Sequence, residues 1–246
     1  MTSVASIAVG NWTREPFPTI VELMSGGLIR IGATALAFCA TGSPALAQDE
    51  DTQLWVYAVA KTDLADDTSL AVDFTARWRE ERRGGEQQTA RFTVLHELTD
   101  GVRLGGGGGV FETEGGRTEI RPHQEIDLKF GRFSARTRVE QRFFDRADRM
   151  EVRVRQLVRY TQPFGDDVKL AIDGEYLGIA RSRDERRGRP RNRLRPRNQL
   201  RARAILSAKV SDRLTLGGGY MAIYTPREGR RDRLTHVPEA YITLKF

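Results

Sequence analysis

The chain has 246 residues, 30% of them charged, with 40 lysines and arginines against 33 acids and a formal net charge of +7. That length suits one domain of ordinary size, and outside an N-terminal stretch no window reaches the roughly 18 to 20 uninterrupted apolar residues that a membrane-spanning helix needs. The single cysteine, Cys39, lies inside that N-terminal stretch, so a chain that loses it can form neither disulfides nor thiolate metal sites.

The stretch itself runs from Leu28 to Ala47. It carries Arg30, an apolar core (Ile31, Ala33, Ala35, Leu36, Ala37, Phe38), the helix breaker Pro44 and then Ala45-Leu46-Ala47. This pattern matches a cleaved secretory signal ending before Gln48. Met24 stands just ahead of it, so residues 1–23 are either an over-extended start or part of a long leader. Phe38 precedes Cys39 where a lipoprotein would need a small residue, which argues against a lipid-anchored N-terminus. The division expected is a signal peptide over 1–47 and a single domain over 48–246.

After an acidic start, Leu54 to Ala60 reads as a first strand, followed by a turn at Asp63 to Asp67. Leu70, Val72, Phe74, Ala76 and Trp78 then alternate with polar or small residues, the period of a strand with one apolar face. Further strands carry Phe92, Val94 and Leu98; Val102 to Phe111; Ile126, Leu128 and Phe130; Phe133 to Phe143; Val152 to Val158; Val168 to Tyr176; Leu200 to Leu206; and Leu214 to Tyr224. The last strand, Leu234 to Phe246, sets Ala240, Ile242, Leu244 and Phe246 against Glu239, Tyr241, Thr243 and Lys245.

The connections alternate short and long. A membrane barrel sorts its connections this way, with short turns on the periplasmic side and longer loops outside. Alternation also reconciles export and high charge with membrane residence, because only half of each strand faces lipid. The fold class expected is therefore all-β, an antiparallel transmembrane β-barrel of the outer-membrane type with about ten to twelve strands. About eleven segments can be read, whereas single-chain bacterial barrels have even numbers. The Trp55 segment would then either not span, leaving ten strands, or one strand has been missed, making twelve. A soluble periplasmic β-protein is the competing class.

A final strand closing on Phe246 resembles the sorting signal of bacterial outer-membrane barrels, which the barrel-assembly machinery reads. The chain also resembles an outer-membrane family of unassigned function, the one numbered 2490 among the domains of unknown function. The resemblance rests on Trp55 in the first strand, Glu140 with Arg142, Arg153 with Arg155, and the terminal Phe246. It implies the barrel fold and transfers no catalytic residue, because no activity is assigned to the family.

The polar faces of the central strands carry a charge pattern. If Gly131 supplies the positive φ of a tight hairpin at Phe130 to Phe133, Asp127 faces Arg136, Glu125 faces Arg138 and His123 faces Glu140. Closing the next hairpin as Phe144 opposite Arg149 sets Glu140 against Arg153 and Arg142 against Glu151. These residues, continuing to Arg155, form a predicted ladder of opposite charges lining the lumen. An unpaired arginine inside a narrow barrel is costly, so the acids read as its neutralisers. The expectation is a non-enzymatic, structural or weakly pore-forming barrel with a salt-bridged interior, the alternative being an anion-selective channel lined by the same arginines.

Between Arg181 and Asn198 lie nine arginines and two acids, Asp184 and Glu185, so this one segment accounts for the whole net charge of +7. Arg186, Arg187, Arg189, Arg191, Arg193, Arg195 and Arg197 make it an external basic loop by the alternation of connections. Outer-membrane lipid and lipopolysaccharide phosphates are its expected partners, since guanidinium pairs bidentately with phosphate. Without interleaved aromatics for base stacking, nucleic acid is not expected there.

Other chemistry is weakly signalled. Gly105 to Gly109 and Gly217 to Gly219 lie within strands and lack the following Lys-Ser/Thr of a phosphate loop, so they read as sites of close backbone approach. His96 and His236 fall on the outer face, where a lipid-acting hydrolase would use them, but no serine stands in register with a histidine and an acid. His123 falls on the inner face. Three scattered histidines offer no metal-ligand spacing, and neither metal nor cofactor is expected.

Overall fold

The computed structural model describes residues 49–115, 118–145, 147, 149–182, 198–227 and 230–246. In chain order the strands are β1 (Asp49–Thr52), β2 (Leu54–Ala65), β3 (Thr68–Trp78), β4 (Gln87–Thr99), β5 (Val102–Thr113), β6 (Glu119–Ile120) and β7 (His123–Phe130). They continue as β8 (Phe133–Phe144), β9 (Glu151–Phe164), β10 (Val168–Arg181), β11 (Gln199–Lys209), β12 (Leu214–Thr225) and β13 (Arg233–Lys245). The expected signal peptide, 1–47, lies outside the described residues.

Each strand pairs antiparallel with its neighbour from β2 round to β13, and β13 then pairs parallel with β1 and β2, closing the sheet. β1 and β2 are two parts of one wall strand interrupted at Gln53, whose N–H still bonds the His236 carbonyl. β6 and β7 are likewise one strand, broken at Pro122, which has no N–H to give to the ladder. Among the described residues the wall therefore has eleven strands. This corrects the expectation of an even number: the Trp55 segment does belong to the wall, and a parallel closing pair lets an odd count close.

The connections sort by rim. Turns at 66–67, 100–101, 131–132, 165–167 and 210–213 gather at one rim, and the longer connections at the other. Gly101, Gly131 and Gly165 adopt positive φ in three of the short turns. Asp49 begins at the long-loop rim and Phe246 ends at the short-turn rim, as parallel closure requires.

Polarity is inverted relative to a water-soluble fold. Among the described residues fifteen polar or charged side chains are buried and only seven apolar ones, while twenty-six large hydrophobics are exposed. Phe74, Phe92, Ile126, Val158, Ile172, Leu206 and Ile242 belong to this outward set. Such a surface is stable only if its surroundings are also apolar.

Candidate functional site

The hairpin β7–β8 has the register that its turn chemistry predicts, with Asp127 opposite Arg136, Glu125 opposite Arg138 and His123 opposite Glu140. On β8–β9, Glu140 faces Arg153 and Arg142 faces Glu151. Strand pleat turns all of these side chains into the barrel.

Inside, the charges form a net. Glu140 accepts from Arg153 at 2.7 Å and from Arg155 at 3.0 Å, with Arg121 at 4.0 Å. Glu175 accepts from Arg155 at 2.7 Å and Arg136 at 3.2 Å, with Arg201 at 3.6 Å. Asp173 holds Arg159 at 2.7 Å and Arg203 at 3.0 Å, and Glu119 holds Arg121 at 2.8 Å and Arg142 at 2.6 Å. Arg142 also reaches Glu151, and Arg138 pairs with Glu125. Two of the facing pairs turn elsewhere. Arg136 reaches Glu175, leaving Asp127 to Arg103 at 3.2 Å, and His123 contacts the Thr93 hydroxyl at 3.2 Å. Most of these carboxylates thus serve two or more guanidiniums, as the excess of arginine over acid demands.

The net is tightly packed: Glu140 is 1% exposed, and Glu151, the first residue of β9 at the long-loop rim, 0%. Cavities lie toward both rims. A cavity of about 630 Å³ opens at the long-loop rim, lined by Phe111, Glu119, Arg142 and Phe144 among others, and one of about 210 Å³ lies at the short-turn rim.

The closing seam carries the interior's apolar cluster. Trp55, Met221, Ile223 and Val237 are buried together with Tyr57 packed on them, and Arg77 lies 4.0 Å from the centre of the Trp55 ring. Tyr57 and Tyr241, partners across the parallel pair, stack at 4.4 Å with an interplanar angle of 1°. Tyr57 donates to Glu239 at 2.9 Å, and Arg203 donates to the Tyr241 hydroxyl at 3.1 Å, joining seam to net. At the long-loop rim Arg227 pairs with Asp49 at 2.8 Å, and the Asp49 N–H bonds the Asp232 carbonyl at 3.0 Å. The Tyr224 hydroxyl and the Arg227 N–H hold the Asp232 carboxyl below its ordinary pKa.

Residues 52–235 match the family model described as "Protein of unknown function (DUF2490)". The chain belongs to this family. Two solved structures are similar to this DUF2490 barrel, "KdgM porin" and "KdgM porin in complex with disordered oligogalacturonate". Each is 11% identical with a TM-score of 0.44, over 67% of this chain and 81% of that one. No curated protein matches the chain.

The DUF2490 barrel places the remaining predicted residues unevenly. Arg186, Arg187, Arg189, Arg191, Arg193, Arg195 and Arg197 lie outside the described residues. His236 meets the Tyr220 hydroxyl on the outer wall. His96 Nδ1 lies 3.0 Å from the Thr68 hydroxyl and 3.5 Å from Asp67. Both partners address the same ring nitrogen, so a relay from acid through imidazole to hydroxyl is not assembled there. The inner glycines do mark close backbone approach: a Cβ on Gly107 would sit 2.0 Å from the Phe92 carbonyl oxygen.

Sequence reasoning missed Asp73 and Arg91, which pair at 2.8 Å, and Glu119, Arg121, Arg159, Asp173, Glu175, Arg201 and Arg203. For two of them a signal existed. The Pro163 to Asp167 turn fixes the β9–β10 register that sets Arg159 opposite Asp173. For Arg201 and Arg203 the long connection before β11 leaves the register open to sequence reading.

Proposed function

We propose that the chain is an integral outer-membrane barrel, non-enzymatic and closed at rest, whose ion-pair net plugs the lumen and makes it structural or at most weakly pore-forming. The observation that carries this reading is the near-complete burial of Glu140 and Glu151 inside a barrel whose outer wall is apolar. Ionised groups held there need pairing, and the net supplies most of it, leaving Asp127 Oδ1, Arg136 Nε and Arg138 Nη1 as buried atoms without a hydrogen-bond partner among the described residues. A lumen of eleven strands is little wider than its side chains require. On this reading the short turns face the periplasm, the chain arrives through a cleaved signal over 1–47, and the strand ending at Phe246 engages the assembly machinery. The basic segment 181–198 faces outward toward lipopolysaccharide phosphates.

Planar-bilayer conductance of the purified protein tests the closed state, after heat-modifiable migration on a gel has confirmed folding. The expected result is sparse, small current steps. Steady, large anion-selective steps would replace the plug with an open pore lined by Arg136, Arg138, Arg153 and Arg155.

A further inference from the structure

The 40 basic residues are not distributed evenly by type. Only five are lysines, Lys61, Lys129, Lys169, Lys209 and Lys245, and every one stands within a few residues of the short-turn rim. Pleat turns all five inward, on the same side of their strands as Tyr57, Asp127, Asp173, Arg203 and Tyr241. The buried net, by contrast, draws its cations from arginine.

Four of the five lysines, with Arg213, line the cavity of about 210 Å³ at that mouth. Its acids are Asp166, Asp167 and Asp212, so cations are in excess. Lys209 pairs with Asp212 at 2.7 Å, and Lys245 with Asp63 at 3.4 Å. Among the described residues neither Lys61 nor Lys169 has a carboxylate within ion-pairing distance. Two unpaired ammonium groups therefore converge on one small cavity.

The chemistry suits exchange. A guanidinium is a planar fork that fixes a partner in place, whereas an ammonium is a compact, hydrated point charge on a flexible stem. Arginine fits a permanent net and lysine fits transient capture. The volume lies below the roughly 300–1,000 Å³ of sites for drug-sized ligands, so the occupant is small.

We propose that Lys61, Lys169, Lys209 and Lys245 form a lumenal binding site for a small multivalent oxyanion, a free solute carrying phosphate or carboxylate groups. The site rests on the barrel geometry and does not require the net above it to conduct.

Lysine acetylation mapped by mass spectrometry tests it on the purified protein in non-ionic detergent, with inorganic pyrophosphate as ligand and sodium chloride at matched ionic strength as reference. Lys129, on the same rim but outside the cavity lining, is the internal control. With pyrophosphate about tenfold above its Kd, mass action slows labelling of the four cavity lysines by about tenfold and leaves Lys129 unchanged. In the K61Q/K169Q variant, protection of Lys209 and Lys245 is expected to disappear. Protection of all five lysines alike, none beyond the chloride reference, or persistence in the double variant would overturn the proposal. So would equal protection in vesicles of anionic phospholipid without pyrophosphate, which would assign the lysines to lipid headgroups.

Discussion

Replacing Glu140 by alanine separates a dry plug from a wet lumen. Among the described residues Glu140 is the only carboxylate paired with Arg153, whereas Arg155 keeps Glu175 at 2.7 Å. The substitution therefore strands one guanidinium whose side chain is only 12% exposed. Breaking a buried pair costs about 3–5 kcal/mol, because the remaining charge stays in a poorly polarisable site. Losing an exposed pair costs at most about 1 kcal/mol. Equilibrium urea unfolding in detergent, followed by tryptophan fluorescence to which the interior Trp55 contributes, reads the difference. The expected result is the larger loss, with part of it recovered in E140L/R153M, where both charges give way to apolar side chains of comparable size. A loss within the exposed-pair range would mean that water bathes the net and that the plug is open.

The outer wall gives a second test. Phe74→Arg should destabilise the folded barrel in lipid vesicles by about 2–4 kcal/mol, while Val210→Arg in a short turn should cost about 0–1 kcal/mol. Equal, small effects in urea titrations would favour a soluble β-protein, for which both positions are ordinary surface. Gly107→Ala should prevent heat-modifiable folding, because its Cβ would sit 2.0 Å from a backbone oxygen; Gly108→Ala, with its nearest atom at 3.5 Å, should fold normally. Tyr57→Phe keeps the stack on Tyr241 but removes a donor from buried Glu239, an expected cost of about 1–3 kcal/mol in the same titration. An unchanged midpoint would show that Glu239 finds another donor.

Local features of this barrel were legible wherever a short turn fixes a register. Gly131 suits a tight hairpin, and from it period-two counting delivers the pair Glu125 with Arg138; closing the next hairpin as Phe144 opposite Arg149 delivers Glu140 with Arg153 in the same way. What counting along hairpins cannot deliver is reach. Arg136 lies opposite Asp127 in register yet extends to Glu175 on β10, because a long side chain inside a curved wall meets groups beyond its immediate neighbour. The ladder read from sequence is thus the local projection of a three-dimensional net.

The even-number expectation failed for a different physical reason. Hairpin reasoning treats each strand through the turn that follows it, and the closing pair has no turn. Here that pair is parallel, Trp55 to Lys61 against Glu239 to Lys245, and parallel pairing is slightly weaker per residue than antiparallel. The side chains at the seam offset that weakness. Tyr57 stacks on Tyr241, a contact of about 0.5–1.5 kcal/mol beyond its burial, and Arg203 ties Tyr241 back to Asp173. The Phe246 N–H completes the ladder on the Lys61 carbonyl at 3.0 Å. The seam and the plug are therefore one structure: the tyrosine pair that closes the wall hangs from the same carboxylate, Asp173, that neutralises Arg159 and Arg203 in the lumen. A change that loosens the net at Asp173 should weaken closure as well as pairing, which an antiparallel seam without such a tether would not share.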